Sequence, residues 1–341
     1  MDIKEILFKL ADISGVSGNE DRASELAMEY LKKYSSDVKI KNRNVIANIG
    51  ERSNDKPHVL LDAHIDQIGM ICTYITDDGF IKVGNVGGLD RRLLMAQRVI
   101  IHGKRDITGI IVSTPPHLVS SDEKKASKVP EIEDICIDTG YTKAELEEIV
   151  SLGDSITFAT ECKELIGGRV TGKSLDDRCG VVAILCALEQ LQGEELPCSL
   201  SVVFSAQEEV GERGAKIAAY EINPDIAIAV DVSFAYTADD IEYKCGKMGE
   251  GAMIGISPSL SRIISEKLIE TAKMYNIPYQ IEVMSGLTST NADQFSVTRC
   301  GVKACTVSIP LKYMHTPVEV MQISDIENTA RLIAEFIRRC S

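Results

Sequence analysis

Four short apolar segments, each followed closely by acidic or histidine side chains, constrain the fold of this 341-residue chain more than any other feature. They are rich in Val, Ile, Leu and Ala, and they cover residues 59–61, 200–204, 226–230 and 304–309. Segments with helical periodicity lie between most of them. Apolar strands that alternate with helices are typical of a largely parallel sheet covered on both faces. We therefore predict an α/β fold with a mixed, mostly parallel sheet flanked by helices.

The helical segments show apolar residues at intervals of three and four positions. They are predicted at 2–13, 20–34, 178–192, 261–275 and 324–340. Ser17 and Ser324 each stand three residues before a glutamate, a spacing typical of a capping box at the start of a helix. We therefore expect these two serines to cap the helices that follow them.

A different pattern fills residues 68–168. Short segments there alternate apolar and polar side chains, for example at 70–75, 99–102 and 107–112, and glycine-rich turns separate them. This pattern is typical of a small antiparallel barrel or sandwich. A chain of this length also exceeds the roughly 250–300 residues that one core usually serves. We predict a barrel-like all-β domain at 68–168, inserted into a catalytic domain of residues 1–67 and 169–341, with a loop at 120–128.

The charge and cysteine content exclude several classes of function. The net charge of −14 is the opposite of the basic surface that nucleic-acid binding needs, so we expect no nucleic-acid partner. No apolar run approaches the roughly 20 residues of a membrane helix, and the first residues do not resemble a signal peptide. The 10 cysteines form no Cys-x-x-Cys pair. We expect reduced thiols in a cytoplasmic protein that binds neither membranes nor nucleic acid.

Side chains able to bind metal follow the ends of the apolar strands. They are His64, Glu209, Asp231 and His315, with Asp176 directly before the helix at 178–192. In an open α/β sheet, ligands bind beyond the carboxyl ends of the strands. Taken singly, each residue has an ordinary explanation: a helix N-cap, a solvated glutamate or a hydrogen-bonded histidine. Their occurrence on five separate segments is better explained by one shared metal site.

The spacing within these segments suits hydrolytic chemistry. His64 and Asp66 face the same side of an extended segment, so Asp66 can accept the second imidazole N–H of a metal-bound His64. The alternative, that Asp66 is itself a ligand, stays open. Glu208 and Glu209 are adjacent and must point in different directions, so one can bind metal while the other faces a bound water. This division of roles favours metal-assisted hydrolysis with a carboxylate as the general base.

The chain resembles the dinuclear metallo-aminopeptidases that assemble into tetrahedral dodecamers, the TET or glutamyl/leucyl aminopeptidase family. The motifs that carry the resemblance span most of the sequence, at residues 63–69, 175–180, 207–211, 229–232 and 313–319. The resemblance implies that Asp176 bridges two divalent metal ions. It further implies that His64 and Asp231 complete one metal position, and that Glu209 and His315 complete the other.

The same resemblance implies the remaining roles. Glu208 would be the general base that activates the bridging water, and Asp66 would orient His64. The metals would be zinc or cobalt, two per chain, and the mixed nitrogen and oxygen donors also allow manganese. Substrates would be peptides, and the inserted domain would serve dimerisation on the way to a homo-oligomeric dodecamer.

Three other functions remain open from the residues alone. A related metal-dependent deacylase or carboxypeptidase could use the same donors. A glycosidase needs only two carboxylates and no metal. A non-catalytic relative could keep the fold as a scaffold, although every proposed ligand and the proposed base are present in this chain.

Overall fold

A large mixed sheet covered by helices and a separate closed barrel make up the computed structural model, which describes residues 1–113, 117–118, 129–238 and 240–340. The loop predicted at 120–128 lies outside the described residues. The helices are α1 (Ile3–Asp12), α2 (Asp21–Leu31), α3 (Lys143–Ile149), α4 (Leu175–Leu191), α5 (Arg213–Ile222), α6 (Arg262–Met274), α7 (Ala292–Ser296) and α8 (Ile323–Arg338). None of these described helices has the length and apolar character that a bilayer-spanning segment needs.

The strands divide between the two units in chain order. They are β1 (Asp37–Lys41), β2 (Asn44–Ile49), β3 (His58–His64), β4 (Gly69–Ile75), β5 (Ile81–Val86), β6 (Arg98–His102), β7 (Asp106–Ile111), β8 (Cys136–Asp138), β9 (Ser155–Phe158), β10 (Lys163–Leu165), β11 (Arg169–Gly172), β12 (Ser199–Ser205), β13 (Ile226–Phe234), β14 (Ala252–Ile256), β15 (Tyr279–Val283), β16 (Lys303–Lys312) and β17 (Glu319–Gln322). Strands β4 to β9 build the barrel, and the others build the sheet.

The sheet has the order β1-β2-β12-β3-β13-β16-β17-β11-β10, with β14 joined to β16 and β15 joined to β14. Its four central strands, β12, β3, β13 and β16, are parallel, whereas the flanking strands pair antiparallel to them. The prediction of a mixed sheet flanked by helices is confirmed, and its parallel part occupies the centre. The carboxyl ends of the four central strands therefore lie together at one edge.

Helix α4 lies in the core between the sheet and α8. Its middle part is apolar on all sides, and residues Val181 to Leu185 are fully buried. Alternate residues of the central strands face opposite layers: Ile228 and Val230 pack into the core around α4, and Ala227 and Ala229 pack into the core around α5 and α7. Burial on both faces explains why these strands are continuously apolar in sequence.

The barrel closes in the order β4-β5-β8-β7-β6-β9 within the described residues. Its strands alternate as the sequence predicted: in β7, Ile107 and Ile111 point inward, whereas Asp106 and Ile110 are exposed. The predicted barrel-like unit is therefore confirmed. The sheet strand β3 precedes it and the sheet strand β10 follows it. The exact division of the chain into 1–67, 68–168 and 169–341 remains a prediction.

Candidate metal centre

The predicted site residues come together at the carboxyl edge of the central strands. They are His64 as the last residue of β3, Glu208 and Glu209 just after β12, Asp231 within β13, His315 just after β16, and Asp176 in the first turn of α4. Asp176 and Asp177 have non-helical backbone angles, so the regular part of α4 begins after them. Five segments that are distant in sequence thus contribute to one buried cluster.

Asp176 lies at the centre of this cluster. Its Oδ1 atom is 2.9 Å from Nε2 of His64, and its Oδ2 atom is 3.4 Å from Nε2 of His315. The donor atoms of His64, Asp176 and Glu209 all lie within 4.8 Å of one another. Asp176 thus offers one oxygen toward each of two histidines, and His64, Asp176 and Glu209 together could hold a metal ion.

Two further carboxylates extend the cluster on either side of Asp176. Oδ1 of Asp231 is 3.9 Å from Nε2 of His64, and Oε2 of Glu209 is 3.3 Å from Nε2 of His315. Asp177 also lies within 4.8 Å of His64 and Asp231. Its oxygens, however, already accept hydrogen bonds from the backbone N–H groups of His64 and Gly180, at 3.2 and 3.1 Å. Asp177 therefore holds the chain around the cluster.

Asp66 lies beside His64 and also supports the loop that carries the two glutamates. Nδ1 of His64 is 3.1 Å from the backbone carbonyl oxygen of Asp66 and 3.5 Å from the carboxylate Oδ1. The Asp66 carboxylate accepts hydrogen bonds from the backbone N–H groups of Glu208 and Glu209, at 3.0 and 3.2 Å, and from the Ser17 hydroxyl. Burial opposes the ionised form, but the neighbouring His64 ring and the hydrogen bond from Ser17 keep the pKa of Asp66 below its usual range. A charged Asp66 thus fixes the loop that carries both glutamates.

The Glu208 side chain differs from its neighbours. No described protein group donates a hydrogen bond to its carboxylate, which leaves both oxygens available to a reactant. Burial raises the pKa of the Glu208 carboxyl to about 9, and the charges of Asp231 and Glu209 add to this effect. A carboxylate held among other carboxylates has a strong tendency to accept a proton.

The donors of the cluster fit divalent cations. Burial and the nearby Asp176 charge raise the pKa of Asp231 to about 8. Burial opposes protonation of His315, but hydrogen bonds to Asp176 and Glu209 outweigh it and raise the pKa of His315 to about 11. So many buried carboxylates require positive charge, which either protons or metal ions can supply. Imidazole and carboxylate donors are the ligand types of zinc and similar metals.

Two contributions to the site escaped sequence analysis. The buried Glu319 carboxylate accepts hydrogen bonds from the backbone N–H groups of Leu175, Asp176 and His315, at 2.8, 3.3 and 3.0 Å. It therefore ties the start of α4 to the segment after β16. The backbone carbonyl of Gly88, which belongs to the inserted unit, accepts a hydrogen bond from Nδ1 of His315 at 3.0 Å. In the sequence, Glu319 looks like a surface glutamate and Gly88 like part of an ordinary glycine turn.

A cluster of metal-binding donors at the carboxyl edge of an α/β sheet, beside a free glutamate, is suited to activating water next to a metal ion. The fold and the donor set together define a class of protein, the metal-dependent hydrolases.

Comparison with known families narrows this class. Residues 43–332 match the family described as M42 glutamyl aminopeptidase, and the chain belongs to this peptidase family, M42. The chain is also 32% identical to the lysyl aminopeptidase of Pyrococcus furiosus over 333 residues, which cover 96% of this chain and 94% of the relative.

Solved structures agree with the family assignment. The aminopeptidase APDkam598 from the archaeon Desulfurococcus kamchatkensis superposes with a TM-score of 0.92 at 35% identity, covering 99% of this chain and 94% of its own. The Pyrococcus horikoshii TET1 peptidase, which can assemble into a tetrahedron or a large octahedral shell, superposes with a TM-score of 0.86 at 34% identity, covering 98% and 99%. This chain is thus an aminopeptidase, a metal-dependent hydrolase that removes residues from the N-termini of peptides.

Proposed function

We propose that the centre of this aminopeptidase holds two divalent metal ions that share the Asp176 carboxylate. His64 and Asp231 complete one position, and Glu209 and His315 complete the other. The observation that carries the proposal is the placement of the two Asp176 oxygens, one 2.9 Å from His64 Nε2 and the other 3.4 Å from His315 Nε2.

Glu208 acts as the general base in this proposal. Divalent cations bound here would supply Lewis acidity for the scissile carbonyl and would lower the pKa of an attacking water. The Glu208 carboxylate takes the proton from that water and later delivers it to the leaving amine. Its place is supported by the hydrogen bonds of Asp66 to the backbone of Glu208 and Glu209, which fix one glutamate relative to the other.

The acidic surroundings also suit the substrate. An aminopeptidase must recognise the free α-amine of a peptide, and a carboxylate of the cluster that binds no metal would favour that positive group over an acylated N-terminus. We propose zinc or cobalt as the metals, because the donors are two imidazoles and several carboxylates without any thiolate.

The assembly and location are further parts of the proposal. The likeness to the Pyrococcus horikoshii TET1 peptidase supports a homo-oligomer, and we propose dimers that assemble into a tetrahedral dodecamer. We also propose peptides as the substrates and the cytoplasm as the location. None of the described helices could cross a bilayer.

Metal analysis of the purified protein, combined with a panel of substrates, tests the centre. We expect about two metal ions per chain and hydrolysis of Leu-, Glu- or Lys-anilides but not of N-acetyl amino acids. Chelation should abolish this activity and metal addition should restore it. Activity that survives chelation, or turnover of the acetylated compounds alone, would contradict the proposal.

The Glu208→Gln variant tests the base. We expect it to bind both metals and to lose on the order of 10²-fold or more in kcat, because the amide cannot accept the proton. Glu212→Gln is the matched control, since Glu212 follows on the same loop and its carboxylate accepts a hydrogen bond from Gln294 at 3.0 Å, outside the metal cluster. Equal activity of the two variants would remove Glu208 from the mechanism.

A further inference from the structure

A turn of the inserted barrel reaches the metal centre. This barrel turn consists of Gly87 and Gly88, directly after β5. The Gly88 carbonyl oxygen accepts a hydrogen bond from Nδ1 of His315 at 3.0 Å. The backbone of Gly87 lies beside Glu209, since a Cβ atom built on Gly87 would be 3.2 Å from Oε2 of Glu209. The barrel therefore contacts two of the proposed metal ligands directly.

The hydrogen bond to Gly88 determines how His315 can bind metal. When Nδ1–H donates to a carbonyl, the lone pair of a neutral imidazole is on Nε2. Nε2 of His315 faces Oδ2 of Asp176 at 3.4 Å and Oε2 of Glu209 at 3.3 Å. The backbone of His315 is held separately, because its N–H donates to Glu319 at 3.0 Å. Gly88 thus fixes the orientation of the ring, while Glu319 fixes its attachment point.

The other metal position is supported differently. Nδ1 of His64 is 3.1 Å from the backbone carbonyl oxygen of Asp66, which follows β3 of the large sheet. Asp231 belongs to β13, and its Oδ1 atom accepts a hydrogen bond from the backbone of Val232 at 2.8 Å. Both supports come from the catalytic sheet and its adjoining segments. The contacts of the barrel turn are thus on the Glu209–His315 side of Asp176.

We infer that the barrel turn is a positioning element for one metal position of the two. The Gly88 carbonyl orients His315, so the metal affinity of the Glu209–His315 position depends on the barrel. The metal affinity of the His64–Asp231 position does not. The inference rests on the proposed assignment of these residues as metal ligands.

The close approach explains why glycine is needed here. A Cβ atom on Gly88 would lie 2.7 Å from Nδ1 and 3.2 Å from Cε1 of His315, so even alanine must displace the ring or the carbonyl. Gly87 has φ +76°, a left-handed conformation that glycine adopts without strain. The side chain of Asn85 donates a hydrogen bond to the Gly87 carbonyl at 2.9 Å and steadies the turn.

The Gly88→Ala variant tests the inference through zinc binding, measured by titration calorimetry and by metal content after dialysis against buffered zinc chloride. We expect one zinc site of unchanged affinity and a second site weakened by about 10- to 100-fold, the usual effect of losing such a support. Gly84→Ala is the matched control. It lies on β5, and its Cβ would meet only methyl groups, of Thr73 at 3.3 Å and Ile71 at 3.5 Å. This control should bind zinc as the wild type does.

Three results would overturn the inference. They are wild-type affinity at both sites of Gly88→Ala, equal weakening of both sites, or the same loss in Gly84→Ala. Asn85→Ala removes a donor to the turn without adding an atom, and it should weaken the same single site by a smaller factor even if Gly88→Ala does not fold. Unchanged zinc binding by Asn85→Ala would also count against the inference. If His315→Ala keeps two sites of wild-type affinity, the ligand assignment fails instead.

Discussion

At the scale of single residues, the reactive side chains of this chain must also be held in fixed positions by their neighbours. Asp66 shows this most clearly. Its side chain is fully buried, and its carboxylate accepts hydrogen bonds from the backbone N–H groups of Glu208 and Glu209 and from the hydroxyl of Ser17. The residue types and their spacing predicted that Asp66 would support the site. The identity of the groups it supports depends on a tertiary fold that spacing does not encode.

His58 gives a prediction about pH. Its Nε2 donates to the Ser201 hydroxyl at 2.8 Å, because that hydroxyl itself donates to Asn48, and its buried Nδ1 has no described partner. Burial, with a smaller effect of Arg52, lowers the pKa of His58 from 6.5 to about 4. Between these values the unfolded chain binds a proton that the folded chain does not. The free energy of unfolding should therefore fall as the pH falls from 6.5 to 4.

Urea unfolding of the metal-free protein across this pH range measures the effect. His58→Gln can donate to Ser201 but does not titrate, so its unfolding free energy should depend less on pH than that of the wild type. Parallel pH profiles of the two proteins would show that His58 does not contribute.

At the scale of helices and strands, the pattern of apolar residues predicted the elements well, whereas individual polar residues predicted the helix ends poorly. The central strands and α4 were predicted because they are buried on all sides, and such burial requires continuous apolar sequence. Strand β1 was missed because it is short and largely exposed at the edge of the sheet, and only Val38 and Ile40 in it are apolar.

The two predicted capping boxes were wrong, because a polar residue near a helix start does not always cap that helix. Ser17 gives its hydroxyl to Asp66, and α2 begins at Asp21 without a side-chain cap. Helix α8 begins at Ile323, and Asp325 accepts hydrogen bonds from the backbone of Gly249 and Gly251 at 2.8 and 2.9 Å. Polar residues near a helix start can serve the helix or a distant loop, and local sequence does not distinguish the two.

Helix α4 carries the prediction at this scale. Leu185 is fully buried between the sheet and neighbouring helices. Leu185→Ala should lower the free energy of unfolding by about 2–5 kcal/mol, because it removes buried methyl groups and leaves a cavity. Leu152→Ala is the control: Leu152 is 65% exposed, and its loss should change stability by at most about 0.5 kcal/mol. Equilibrium urea unfolding at one protein concentration compares them, and equal values would contradict the assigned core position of α4.

For the whole molecule, the family assignment leads to a prediction of mass. The chain has a mass of 37.3 kDa, and the proposed dodecamer should have about twelve times this value. Light scattering coupled to size-exclusion chromatography measures it directly. A particle of one or two chains at micromolar concentration would exclude the proposed assembly. It would not contradict the proposed metal centre.

The distribution of the site over the chain has a consequence for biosynthesis. In sequence order, the proposed metal ligands begin with His64 and end with His315, so no shorter part of the chain contains all of them. A polypeptide still being translated therefore has no working centre until almost all of it has left the ribosome. While its own synthesis is unfinished, a chain therefore cannot remove residues from its own N-terminus or from others nearby.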